Sequence, residues 1–243
     1  MIAALLLAAA VAAPAPTVPP GPTLDSIVAD YVAARGGLTR IRAVKSLRQT
    51  GHAFAEGGRE ALVVRELERP DKTRFEFTVQ GMTAVYVVNG GKGWQVSPFE
   101  GLTVKPLSDE AVADAMEQAD FEGPLVDWKA KGNKLELAGL TAVGGKNAYK
   151  LELTLKDGSV RYDYIDVQSY RHVRTDVTRV VRGRPVATSA TFSGHRMQGG
   201  VLFPTVVEVS AAGRPQKLRI VVDKIELNPK IPASRFERSS GKN

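Results

Sequence analysis

The residues able to do chemistry in this chain are few and scattered. His52, His172 and His195 stand far apart, and none belongs to a metal-ligand spacing such as paired histidines one helical turn apart. A lone histidine on a strand is ordinarily a surface residue or a satisfied core residue. Asp163 and Asp166 form a carboxylate pair, yet they sit among Tyr162 and Tyr164 in a pattern that reads as the outer face of a strand. No serine stands in a G-x-S-x-G turn, and glycine pairs such as Gly90-Gly91 read as turns rather than as a phosphate cradle opening a helix. With no cysteine among 243 residues, there is no disulfide, thiolate metal site, cysteine nucleophile or lipid-modified cysteine. The residues therefore support no catalytic site, no metal site and no cofactor, and the expectation is a protein that is not an enzyme.

What the sequence does supply is apolar surface that needs a cover. Tyr149, Leu151, Leu153 and Leu155 alternate with Lys150, Glu152, Thr154 and Lys156, the period of a half-buried strand. Lys156-Asp157-Gly158-Ser159 then turns the chain into a second strand through Val160, Tyr162 and Tyr164. Such a hairpin cannot bury its apolar face alone, so either more protein or a bound molecule must lie on it.

The elements that position this surface follow in order. Ile2 to Ala13 is an apolar, alanine-rich run ending in small residues, read as a secretory signal cut near Pro14. Pro14 to Pro22 reads as an extended spacer. Leu24, Ile27, Val28 and Tyr31 recur at helical spacing, with Thr23 as the cap and Gly36-Gly37 as the stop, and a short helical turn over Leu38 to Val44 follows. From Ser46 the period becomes two. Ala61 to Leu67, Thr73 to Val79, Thr83 to Val88 and Gly93 to Val96 read as a meander that curls into a barrel or bent sheet. Ser108 caps one internal helix running to Asp120, whose stripe of Ala111, Val112, Ala115, Met116 and Ala119 is shallow. Phe121 to Trp128 reads as a turn followed by a single helical turn. Strands are then expected over His172 to Val181, Ala187 to Met197, Leu202 to Ser210 and Leu218 to Leu227. No linker interrupts residues 23–243, which read as one domain.

The net charge of +7 suits acidic partners such as anionic lipid headgroups, lipopolysaccharide or nucleic acid, and equally suits simple solubility. It is densest from Arg171 to Arg184, with Arg174, Arg179 and Arg182 inside the run. No recognition helix or exposed aromatic pattern accompanies it, so nucleic acid is not an expected partner.

Several segments in shared order resemble the LolA-like outer-membrane lipoprotein-sorting proteins. They are Tyr31 to Gly37 leading to Val44 to Arg48, Asn89 to Trp94, Asp120 to Leu125, Ala148 to Leu153, Tyr164 to Asp166, Phe203-Pro204 and Ile225 to Pro229. The resemblance implies a mainly β fold: an incomplete, half-open antiparallel β-barrel with an N-terminal helix and a lid helix. It implies a periplasmic, monomeric carrier of lipid or lipoprotein acyl chains moving toward the outer membrane, served by inner- and outer-membrane partner proteins. An envelope sensor that binds a lipid or protein without transport is the alternative. It also implies an arginine that holds the lid, and no single arginine stands out for that part.

On this reading the wall of the lipid-binding cavity is Phe75, Phe77, Val79, Trp94, Val96, Tyr149, Leu151 and Leu153, and the lid presents Val112, Ala115, Met116 and Phe121. The same residues would equally fill an ordinary dry core.

Overall fold

A computed structural model describes residues 21–55, 57–181, 184–213 and 217–238. The expected export signal, the spacer up to residue 20 and the Arg182-Gly183 turn lie outside them, as does the side chain of Arg179. Two helices come first, α1 (Leu24–Ala34) and α2 (Leu38–Ala43), followed by β1 (Ser46–Ala55), β2 (Arg59–Glu68), β3 (Lys72–Val79), β4 (Met82–Asn89), β5 (Lys92–Val96) and β6 (Lys105–Pro106). Then α3 (Asp109–Ala119) and a string of turns lead to β7 (Lys134–Val143), β8 (Lys146–Thr154), β9 (Val160–Asp166), β10 (His172–Val181) and β11 (Arg184–Ser193). The chain closes with β12 (Arg196–Gln198), β13 (Val201–Phe203), β14 (Val206–Ala211), β15 (Leu218–Leu227) and a short 3₁₀ turn, Ala233–Arg235.

Thirteen strands form one antiparallel sheet in the order β6-β5-β4-β3-β2-β1-β15-β14-β11-β10-β9-β8-β7. Followed across the sheet, this is a single up-and-down ribbon in which the first and last strands of the chain meet at the centre, Leu47 opposite Leu227. The edge strands β6 and β7 do not pair with each other, so the barrel stays half open. The chain from 107 to 133 joins those two edges and therefore has to cross the gap.

Local chemistry sets the elements as expected at both helices. Thr23 Oγ1 accepts from Ser26 N at 3.2 Å to start α1, and Ser108 Oγ accepts from Ala111 N at 3.3 Å to start α3. At the end of α1, Gly36 has φ +109, and a Cβ there would lie 1.9 Å from Gly200 O in the β12–β13 turn. Only glycine fits that approach. Two segments depart from expectation. Ala187 to Met197 and Leu202 to Ser210 are each broken, because Gly194 takes φ +62 and Pro204 offers no N–H to a ladder. The pieces β12 and β13 pair as a small sheet of their own. The helical turn expected within Phe121 to Trp128 is a run of turns instead.

Buried side chains gather in four places. Under α1, Ile27 and Tyr31 pack on Leu135, Tyr149, Leu151, Leu153 and Ile165, with Leu125 from the crossing segment. Beside α2, Ile41 and Val44 pack on Leu47, Leu67, Ile225 and Phe121. Ala53, Ala61 and Val63 lie with half-buried Phe75, Phe77, Val79, Leu218 and Ile220. Across β4 and β5, Val87 and Trp94 meet Ile231 and Phe236 of the C-terminal segment. Glu66, 1% exposed, fixes that segment by accepting from Arg48 Nε at 2.7 Å and Arg235 Nε at 2.8 Å.

Candidate functional site: a half-open barrel crossed by a helix

Strand register sorts the side chains onto two faces. Arg65 stands opposite Phe75, Val63 opposite Phe77, and Phe75 opposite Tyr86. Followed through β1, β15 and β14, the same face carries Ala53, Ile220, Leu218, Val207 and Val209. This is the inner face, on which α1, α3 and Phe121 lie.

Phe75, Phe77 and Val79 belong to it and are half-buried. Tyr149, Leu151 and Leu153 share the face but lie closed beneath α1, with Leu151 at 0% exposure. Trp94 and Val96 lie on the outer face, because Gly93 and Gln95 take the inner positions opposite Val88 and Tyr86. Both faces of the β4–β5 pair are covered, so apolar alternation alone could not tell inside from outside there.

The helix α3 bridges the opening. Near its start Val112 sits over Gly93, whose added Cβ would lie 2.8 Å from Val112 Cγ2. Near its end Gln118 O accepts from Arg65 Nη2 at 3.2 Å, and Glu117 pairs with Arg161 of β9 on the far side of the sheet. A cavity of about 370 Å³ lies between α3 and the sheet, lined by Arg65, Phe75, Tyr86 and Ile220 below and Ala111 and Ala115 above. Met116 is half-buried, and Phe121 is buried in the cluster beside α2.

Two arginines fasten the segment that follows the helix. Arg35, at the end of α1, donates from Nη1 to Glu122 O at 2.6 Å and from Nη2 to Phe121 O at 2.8 Å. Arg69 places its guanidinium 4.9 Å from the Phe121 ring centroid and 3.4 Å from Glu122 Oε1. The sequence marks Arg35 only as the basic residue at the end of the first helix and singles out neither arginine for this part. The available signals were weak: Arg35 precedes the Gly36-Gly37 stop and Arg69 precedes Pro70.

A second hollow, about 210 Å³, opens beside this fastening, and its walls mix charged and polar groups of Arg35, Glu117, Arg161, Asp163 and His172 with apolar Leu125, Phe192 and Phe203. Asp163 was expected on an outer face. It is instead 1% exposed on the inner face, where Arg161 Nη2 at 2.6 Å and Thr175 Oγ1 at 2.7 Å both donate to its Oδ1. Burial alone would raise its pKa, but the Arg161 charge and His172 hold it below the ordinary carboxylate range. Asp166, by contrast, caps a turn, accepting from Ser169 N at 2.7 Å. Burial raises the pKa of Glu117, with Arg161 only partly offsetting it. Burial also lowers His195. Through Arg161, which pairs with both Asp163 and Glu117, this buried carboxylate helps to anchor α3. His52 lies apart, against Glu60 and Asp223. Among the described residues no group of three or more His, Cys, Asp or Glu is placed to hold a metal ion. In the basic run, Arg174 is committed to Asp176 at 2.8 Å.

No family model matches the sequence, and no curated protein matches it. Solved structures do match its fold. An outer membrane lipoprotein-sorting protein domain from Vibrio parahaemolyticus, 12% identical, superposes with a TM-score of 0.58 over 88% of this chain and 95% of that one. A DUF1329 family protein from Desulfovibrio piger, 16% identical, gives 0.59 over 89% and 98%. A LolA superfamily protein from Nitrosomonas europaea, 15% identical, gives 0.57 over 90% and 99%. The likeness spans nearly the whole of each chain, and at these identities it is a likeness of fold: this chain has the LolA-like, half-open barrel.

Proposed function

We propose that this LolA-like chain is a periplasmic carrier that binds acyl chains of a lipid or lipoprotein inside the half-open barrel and hands them on toward the outer membrane, without catalysing a reaction. The observation that carries the reading is the contrast across the inner face. Beneath α1 the apolar side chains are sealed, whereas the strip of Phe75, Phe77, Val79, Leu218 and Ile220 is left half-buried, with Phe75 and Ile220 lining the cavity under α3. An apolar wall that the protein itself does not fill is a wall for a guest.

The character of α3 supports the same reading. Its cavity-lining positions are Ala111, Asp114, Ala115 and Gln118, none a large apolar side chain, so there it gives up far less on opening than the roughly 1.5 to 3 kcal/mol of each buried leucine or phenylalanine. Acyl chain gains about 0.8 kcal/mol per buried CH₂, and a rigid sealed pocket would bind too tightly to release its cargo. A helix that reoccupies the emptied space competes with the cargo and returns part of that energy. Arg35 and Arg69 would serve as the fastening about which such a helix moves.

The test is transfer of a labelled phospholipid between donor and acceptor vesicles. A carrier accelerates transfer in proportion to its concentration. Binding without any acceleration would replace this reading with that of a sensor or interaction domain.

A further inference from the structure

The sheet side of the cavity beneath α3 carries Leu67, Phe75, Tyr86, Val88 and Ile220, and among them stands one cation that the alternation does not call for. Arg65 lies on the inner face of β2, opposite Phe75, and its same-face neighbours along the strand are Val63 and Leu67. A guanidinium stands where the alternation calls for an apolar side chain. Its Nη1 donates to Gln49 Oε1 at 3.3 Å and its Nη2 to Gln118 O at 3.2 Å, and both acceptors are neutral. Burial pulls its pKa down to about 10, still far above neutrality, so it is a cation facing an apolar space. Asp114 also lines the cavity, from α3. The other cation there, Arg74, is committed to Glu76 at 2.6 Å and to Arg235 O at 2.9 Å.

Position matters as much as charge. On one side of Arg65 the inner face is plugged by Leu47, Leu67, Ile225 and Phe121. On the other side the half-buried strip continues through Phe75 and Phe77 to Val79, which lies about 13 Å beyond Phe75 along the strand. A cation at the closed end of an apolar strip is the arrangement for a guest that enters with its charged end first. The acyl chains of a lipoprotein carry no charge at their inner ends and would leave Arg65 unanswered.

We propose that a single-chain fatty acid binds here head-first, its carboxylate on the Arg65 guanidinium at the cavity and its tail past Phe75 along the half-buried strip of Phe77 and Val79 beside it. The inference rests on the acyl-carrier reading above and narrows its cargo. A bidentate carboxylate would meet guanidinium N–H groups that Gln49 and Gln118 do not occupy.

The experiment measures affinities for dodecanoate, dodecanol and dodecyl phosphate at pH 8 by displacement of a fluorescent acyl probe, in the full chain and in Arg65→Leu and Arg65→Lys. Urea midpoints check that each variant is folded. The wild type should bind dodecanoate at least about tenfold more tightly than dodecanol. Arg65→Leu should bind the two equally, with dodecanol affinity kept or improved, and Arg65→Lys should retain part of the preference. Equal binding of acid and alcohol by the wild type, or a preference that survives Arg65→Leu, overturns the inference and leaves the carrier reading intact. Stronger binding of dodecyl phosphate than of dodecanoate overturns the assignment to a carboxylate. Failure of every amphiphile to bind the wild type removes the carrier reading, and this inference with it.

Discussion

Truncating Phe77 and Leu151 to alanine separates a wall from a core, because both side chains lie on the inner face and only one is sealed. Leu151 is 0% exposed, enclosed by Ile27, Tyr31, Leu135 and Ile165. Leu151→Ala removes buried methyl and methylene groups and leaves a void that α1 can only partly fill, so the cost is about 3 to 4 kcal/mol. Phe77 is half-buried beside Val63 and Ala84. In a sealed core Phe77→Ala would cost about 3 to 5 kcal/mol. Phe77 is only half-buried, so its truncation opens less of a void and mainly its partial burial is lost, about 1 to 1.5 kcal/mol. Urea denaturation at unchanged m-value reads both numbers. Displacement of a fluorescent fatty acid reads the other half: affinity should fall several-fold in Phe77→Ala and hold in the folded fraction of Leu151→Ala. Equal destabilisation by the two substitutions, or unchanged binding in Phe77→Ala, would refute the division of the inner face into core and wall.

Three further outcomes are expected. Because burial holds the Glu117 carboxyl above its ordinary 4.5, its protonation favours the packed helix; that stabilisation is complete below 4.5 and fades as pH rises through the raised value. His195, lowered by burial, contributes stability above 6.5 that is lost on acidification, and Asp163 holds its contribution until pH falls below 3.8. The readout is therefore the difference between wild type and Glu117→Gln from pH 7 to 4.5: α3 amide protection should rise on acidification only in the wild type, and identical profiles would remove Glu117 from the account. Arg35→Ala deletes both hydrogen bonds to the Phe121 and Glu122 carbonyls, so exchange in residues 109–123 should quicken at least several-fold while β8 keeps its protection. Uniform loss across the chain would make Arg35 a general stabiliser rather than a fastening. For export, periplasmic protein should begin near Pro14, and an N-terminus still at Met1 would contradict the secretory reading of Ile2 to Ala13.

The sequence made the alternation of β3 and β8 legible, and with it the apolar faces of Phe75 to Val79 and Tyr149 to Leu153. Both helices were legible too, since Thr23 and Ser108 are caps that act within three residues. What alternation does not carry is the identity of whatever lies on a face. Leu151 and Phe77 look alike in sequence, and only the docking of α1 over β7 to β9 makes one a core residue. Trp94 turned outward because Ile231 and Phe236 return from the C-terminus to cover it. At Arg65-Glu66 two adjacent charges hide which one faces inward. Glu66 takes the outer position because Arg48 and Arg235 converge on it there, which leaves Arg65 inside. The inward place of Asp163 is hidden likewise, since the partners that let a carboxylate lie inside are Arg161 of its own strand and Thr175 and His172 of β10.

The measurement that bears most directly on the central claim is native mass spectrometry of the full chain purified from a membrane-containing lysate without detergent exchange. The carrier account predicts a folded monomer with one lipid or fatty acid bound, released on gentle activation and diminished in Phe77→Ala. A wild-type protein that emerges only in the ligand-free mass, and stays so after incubation with lipid vesicles, would contradict it.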